Sequence, residues 1–403
     1  MPNINAFSGE RLKGARIYRG YTLTELSENT GISKQSISLY ENNKNKPEWD
    51  NVLKLSCELN FPRDFFFQRN KYDVKTDTTY FRAVLSANKK DRIAQSIKLE
   101  FLAQIYLMLC DYVEFPSLNF PKIEFTSGNT TDIYVTDEQM KDEEKQIEYI
   151  AKKVREYWKL GDEPIGDLRY VLESNGIIVT CFDAKASKID AFSQRTTVND
   201  GEIYIVVVSN SGQSVARSRF DMAHELGHIL LHPWSEDIES ITREEFKARE
   251  RQANKFAGAF LLPENTFKQD VSYYPTKLDY YLHLKQKWKV SISAMIYRAH
   301  QLQVITDNQY QYLMRQVSKN GWRECEPDDV TYRLENNVLQ SAIELLIHNN
   351  VFSGTEFTMN LSKNGIAMHP QEIEELLCLK KGTLSTGQSS QSQIVQLKIV
   401  NEN

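Results

Sequence analysis

No apolar run of about 18 residues or more occurs anywhere in the chain, so a membrane span is not expected. The opening MPNINAFSGERLKG has no basic segment followed by an apolar one, so it does not read as a secretory signal. Cysteine is scarce. Cys57, Cys110, Cys181, Cys325 and Cys378 are odd in number, widely scattered and form no CxxC pair. That argues against Cys-rich structural zinc and against a disulfide framework, and most of these side chains read as buried small hydrophobes. A reducing, cytoplasmic location is the expectation. Positive charge is short too. A net charge of −5 excludes a nucleic-acid surface spread over the whole chain. Residues 1 to 70 differ, holding ten Lys and Arg against eight Asp and Glu, a local excess of +2.

What is present fits a globular protein: 41% hydrophobic and 26% charged residues over 403 positions. That length suggests two to four domains. The first 70 residues carry four short helical signals. Arg11 to Tyr18 is one, and Thr22 opens a second that ends at Asn29-Thr30-Gly31. Ser33 caps a third, and Pro47 starts a fourth with Trp49, Val52, Leu53 and Leu55 as its apolar positions. Residues 71 to 136 read as a helical linker, with a long helix over 88 to 115, and an extended connection over 115 to 136. Helices follow at Ile147 to Trp158 and Ile165 to Ser174. Strands follow at Ile177 to Phe182, Ala191 to Gln194 and Ile203 to Val208. Two helices come next, Val215 to His232 and Glu250 to Leu262. The order is that of a predominantly helical α+β protein. Residues 331 to 403 read as a C-terminal helical region with a mobile tail from Gly382.

The segment RSRFDMAHELGHILLHPW carries the chemistry. His224 and His228 stand at i and i+4 on one helical face, so both imidazoles can reach one ion. Glu225 stands next in sequence, where HExxH sites keep the base that takes a proton from water. A catalytic zinc needs a third protein ligand. His232 lies eight residues after His224, about 12 Å of helical rise, and could join only if the helix breaks before it. Its alternative role is a helix C-terminal histidine or an outer contact. Glu250, on the next helix, is the better candidate. Ala253, Phe256, Ala257 and Phe260 form an apolar stripe that could press that helix against the first, and Ala253 is small enough for close approach. Against this, Glu250 could be one surface acid among Glu244 and Glu245.

RSRFDMAHELGHILLH followed by ERQANKFAGAFLLP resembles the ImmA/IrrE-type zinc metallopeptidases over Arg217 to Pro263, and more weakly from Ile177 to Pro327. The resemblance implies a zincin-like domain over residues 137 to 330. It further implies Zn2+ on His224, His228 and Glu250, with Glu225 as general base. In such enzymes a sheet edge pairs with substrate backbone. The strand EIYIVVVSN is positioned for that task, and an interior place in the sheet is an equal reading.

LTELSENTGISKQSISLYENNKNKP resembles the lambda-repressor-like helix-turn-helix class, often called XRE. Residues 1 to 70 are then a DNA-binding domain whose third helix enters the major groove. Lys34, Gln35 and Ser38 would face base edges, while Ser33 and Lys44 would meet phosphates. Thr22, Thr24 and Ser27 depart from the residues usual in the second helix of that class.

Together these readings describe a DNA-binding regulator fused to a zinc endopeptidase. Its partners would be operator DNA and a protein substrate, typically a helix-turn-helix repressor whose cutting derepresses stress, mobile-element or defence genes. No membrane partner is expected, and a homodimer is admitted. Two other readings use the same residues: a non-catalytic regulator whose zinc domain senses a ligand, and an antitoxin-like interaction protein.

Overall fold

The computed structural model describes residues 6–69, 71–72, 74–81, 89–122, 137–182, 191–198, 201–209, 212–234, 241–385 and 398–399. Four helices open the chain: α1 (Gly9–Tyr18), α2 (Leu23–Thr30), α3 (Lys34–Glu41) and α4 (Trp49–Leu59). Their ends are set by side chains. Thr22 and Glu25 form a reciprocal capping box at the start of α2. Gly31 ends that helix at φ 69°, a left-handed conformation that glycine adopts without a Cβ penalty. Ser33 then caps α3. Val52 and Leu55 are buried, whereas Trp49 is 53% exposed and lies under the Arg63 guanidinium.

Residues 71 to 136, expected as a helical linker, contain a strand that the sequence did not announce. This is β1 (Val74–Phe81), followed by α5 (Lys89–Cys110) and the short β2 (Val113–Glu114). Helix α5 is long and apolar enough to cross a membrane. Its residues Leu99, Leu102, Ile105, Met108 and Leu109 are buried in a core shared with the first four helices. The early part of the expected extended connection is anchored, since Asn119 N–H donates to the Asn175 carbonyl. Residues 123 to 136 lie outside the described residues.

Two helices, α6 (Asp137–Tyr157) and α7 (Leu168–Ser174), lead into β3 (Ile177–Phe182), β4 (Ala191–Val198) and β5 (Gly201–Ser209). The sheet order is β1-β4-β5-β3. Strand β4 runs antiparallel to β1 and β5, and β3 runs parallel to β5. Both faces are buried. Val179, Tyr204, Val206 and Val208 pack into one core, and Ile178, Ile203, Ile205 and Val207 into the other. Burial on both faces explains the unbroken apolar run IVVV in β5. This strand is interior, so it cannot be the edge that meets a substrate.

The remaining helices are α8 (Val215–Leu231), α9 (Arg243–Leu261), α10 (Glu264–Val271), α11 (Leu278–Trp288), α12 (Ile292–Gln301), α13 (Asp307–Lys319), α14 (Val338–His348), α15 (Gly354–Lys363) and α16 (Pro370–Leu376). A last short strand, β6 (Lys398–Ile399), pairs with β2. Helices α8 to α13 belong to the first core, and α14 to α16 to the second, beside α5 and the N-terminal helices. Tyr18 donates to Glu372, and Arg19 pairs with the same carboxylate, so α1 is tied to α16. The tail expected to be mobile from Gly382 is anchored at its start, and residues 386 to 397 lie outside the described residues. Gly382 and Leu384 donate backbone N–H to Glu374, and Leu384 is buried.

Cysteine usage differs from the expectation. Cys181 on β3 and Cys378, just after α16, form a disulfide across 197 residues. Cys57 and Cys325 are exposed, and Cys110 is partly buried. Pairing across that separation is set by how the C-terminal helices meet the sheet, which composition and spacing do not encode.

Candidate metal centre and nucleic-acid interface

Ser214 caps α8 by accepting from the Arg217 N–H, and the helix then runs through the core to Leu231. Helical spacing stacks His224 and His228 so that their Nε2 atoms stand 3.0 Å apart. Thr242 caps α9, which crosses α8 and brings Glu250 to the same point. The Glu250 carboxylate lies 3.1 Å from His228 Nε2 and 3.6 Å from His224 Nε2. One ligand atom from each of the three lies within 4.8 Å of the others. Burial alone would raise the Glu250 pKa, but hydrogen bonds from the two histidines outweigh it and hold the carboxyl well below its usual range.

A glycine inside the motif permits this crossing. A Cβ on Gly227 would stand 3.1 Å from the Ala253 Cα and 3.2 Å from its carbonyl oxygen. The backbones of α8 and α9 therefore meet closely at Gly227 and Ala253, one turn from Glu250. Gly227→Val is expected to destabilise the chain by about 1–3 kcal/mol through overpacking. The same change should weaken metal binding by moving α9 outward. A thermal melt and a zinc titration check both, and an unchanged melt would show that the helices can part there freely.

Behind the cluster the imidazoles are held in place. His224 Nδ1 is 3.1 Å from Asn254 Oδ1, and His228 Nδ1 is 2.9 Å from His232 Nδ1. His232 Nε2 in turn lies 2.9 Å from Gln252 Oε1. His232 does leave the helix, at φ −115° and ψ 145°. Its ring nonetheless meets the far side of His228 and stays out of the cluster. Burial first, and the neighbouring His228 next, push its pKa well below the ordinary histidine value, so it stays neutral. Such outer contacts fix ring orientation at metal sites.

Glu225 points to the sheet side. Its Oε2 accepts from Ser193 Oγ at 2.6 Å, and both residues are fully buried. Ser193, Gly227, Gln252 and Asn254 were not singled out from the sequence. Only Gly227 carried a signal, as a glycine inside an otherwise regular helix.

At the other end of the chain, Ser33, Lys34 and Gln35 are exposed at the start of α3, with Ser38 partly exposed one turn on. Lys44 is exposed in the following loop. Ser33 Oγ accepts from Ser36 N–H and so caps the helix. The helix is braced from behind by a bidentate pair between Arg16 and the buried Glu41. Asn43 Oδ1 accepts from Gly9 N–H and fixes the loop against α1.

Fold and cluster together define a class: a helix-turn-helix unit joined to a metallopeptidase-like domain. Residues 172–300 match the family model described as the IrrE N-terminal-like domain, a peptidase family, and residues 9–71 match a helix-turn-helix domain. The chain carries both domains, as the XRE and ImmA/IrrE resemblances implied. A stretch of 70 residues is 36% identical to the HTH-type transcriptional regulator ImmR of Bacillus subtilis (strain 168). That match covers 17% of this chain and 55% of ImmR, about half the length of that curated relative.

Proposed function

We propose that this chain is a cytoplasmic, DNA-binding regulator with zinc-dependent endopeptidase activity, cutting a repressor or other regulator protein. One observation carries the reading. His224, His228 and Glu250 converge on a single point, while Glu225 stands one residue along the same helix, held by Ser193. Two imidazoles and one carboxylate, without a thiolate, fit the ligand set of a catalytic zinc. Those three residues would hold the ion, and zinc when bound supplies a Lewis acid that lowers the pKa of a water molecule to about 7.

The remaining steps belong to side chains. Glu225 takes the proton of the attacking water and returns it to the departing amine. Ser193 donates to Glu225 Oε2, which orients the carboxylate. Asn254, and His232 backed by Gln252, keep the two ring nitrogens of the cluster turned inward. Incubating the zinc-loaded chain with the repressor-like product of a neighbouring gene tests the reading. A defined cut, seen by mass spectrometry, is expected. A repressor left intact under every signal tried would overturn the enzyme reading in favour of a sensor.

The DNA half rests on the exposed start of α3 and on the likeness to a protein named as a transcriptional regulator. Lys34, Gln35 and Ser38 would read base edges in the major groove, with Ser33 and Lys44 on phosphates. Gln35→Ala is then expected to relax sequence preference. Lys44→Ala should weaken binding to all sequences and reduce the salt slope by about 1. Fluorescence titrations on promoter and scrambled DNA at several salt concentrations separate the two. Equal, salt-independent behaviour of wild type and both variants would make the domain a protein-interaction module.

A further inference from the structure

The peptidase sheet has a strand that comes from outside the peptidase domain. Strand β1 lies at residues 74–81, far upstream of the matched family region 172–300, in the segment that follows the helix-turn-helix domain. It pairs antiparallel with β4 along almost its whole length. Strand β4 is also the strand that touches Glu225, through Ser193. In the ladder Tyr80 stands opposite Ser193 and Phe81 opposite Phe192, so the end of β1 reaches the position of the proposed base.

That placement has a consequence for access. Peptides commonly bind enzymes and receptors by adding a strand to a sheet edge. Strand β4 has two neighbours: β5 on the inner side and β1 on the outer. The other edge of the sheet, β3, is separated from β4 by β5. The place where an extended substrate could pair beside Glu225 is therefore the place β1 holds. With β1 there, Glu225 and Ser193 are both fully buried. The pairing is also imperfect. Between Thr76 and Thr79 the register slips, which interrupts the ladder and leaves only short regular stretches on either side. The segment VKTDTTYF is mostly polar, with three threonines, one lysine and one aspartate.

The geometry points to β1 as an internal occupant of the substrate edge: an extended segment of a target protein must displace it from β4 before cutting. The partner class is thus an unstructured or locally unfolded protein segment able to add as an antiparallel strand. The role in cutting rests on the peptidase reading above, whereas the strand exchange does not.

Binding tests it without catalysis. Both proteins are the full chain carrying Glu225→Gln, and one also carries Thr79→Pro and Tyr80→Pro. Successive residues of a strand turn their N–H groups to opposite sides, so one of the two prolines removes a donor facing β4. The probe is a fluorescein-labelled peptide of residues 74–81. An internal competitor lowers apparent affinity by the fraction of open molecules, so the proline variant should bind the peptide about tenfold or more tightly. Equal affinity for two chains that both melt cooperatively would overturn the proposal. If the proline chain does not melt cooperatively, hydrogen exchange on the wild type decides. Amides of β1 exchanging about tenfold or more faster than those of β5 support a displaceable strand, and equal protection overturns it. Restoring Glu225 in the proline chain and adding zinc separates the two ideas. Peptide binding with no cutting leaves strand exchange standing and removes the peptidase.

Discussion

Glu225→Gln is expected to keep the fold and the zinc and to lose proteolysis by about 10²–10⁴-fold, the range for removal of a general base. The substitution preserves shape. Its amide oxygen can still accept from Ser193 Oγ, which now donates to Oε2 at 2.6 Å. The amide nitrogen replaces the atom that would take the water's proton, and it carries no basic lone pair. Glu225 is not among the three converging ligand residues, so metal content should not change. Elemental analysis beside single-turnover cleavage of the same preparation measures both quantities. Equal cutting by wild type and variant, with contaminating protease excluded, would remove Glu225 from the mechanism.

The second large effect is the contrast between Glu250→Ala and His232→Ala. Glu250 is one of the three groups at the convergence point, 3.1 Å from His228 Nε2, and its carboxylate is already held ionised by the two histidines. Its removal leaves only the two imidazoles of the three converging groups, and stoichiometric zinc should be lost. His232 meets the outer nitrogen of His228, at 2.9 Å, and is not one of the three converging groups. Loss of an outer partner typically weakens metal affinity by about 10–100-fold without emptying the site. Competition with a chromophoric chelator ranks the variants. Full-affinity zinc in Glu250→Ala would move the third ligand elsewhere, with His232 the next to examine.

Much of the candidate centre could be read in advance, and the reason is local. His224, Glu225 and His228 fall within five residues of one helix, where period alone fixes which side chains share a face. The short N-terminal helices were similarly legible, because Thr22, Gly31 and Ser33 act on the turn beside them. Glu250 was readable only as a candidate among neighbouring acids. What selected it is the approach of α9 to α8 at Gly227 and Ala253, a contact between backbones 26 residues apart in sequence. Ser193 gave no signal at all, since a lone serine in a strand becomes a partner of Glu225 only once β4 lies over α8.

The sequence by itself determined the helical periods, the caps, the turn glycines, the HELGH face and the apolar run of β5. Each depends on residues within a turn or two of one another. Tertiary structure alone decided that β1 joins the sheet, that β5 is interior, that Cys181 meets Cys378 and that the C-terminal helices close the second core. Strand β1 shows why. VKTDTTYF has a weak apolar alternation, and the backbone donors and acceptors on its inner side pair with β4, more than 110 residues later. Backbone pairing is indifferent to side-chain identity, so a polar segment becomes a strand when a neighbouring edge is free and the chain's path brings it there.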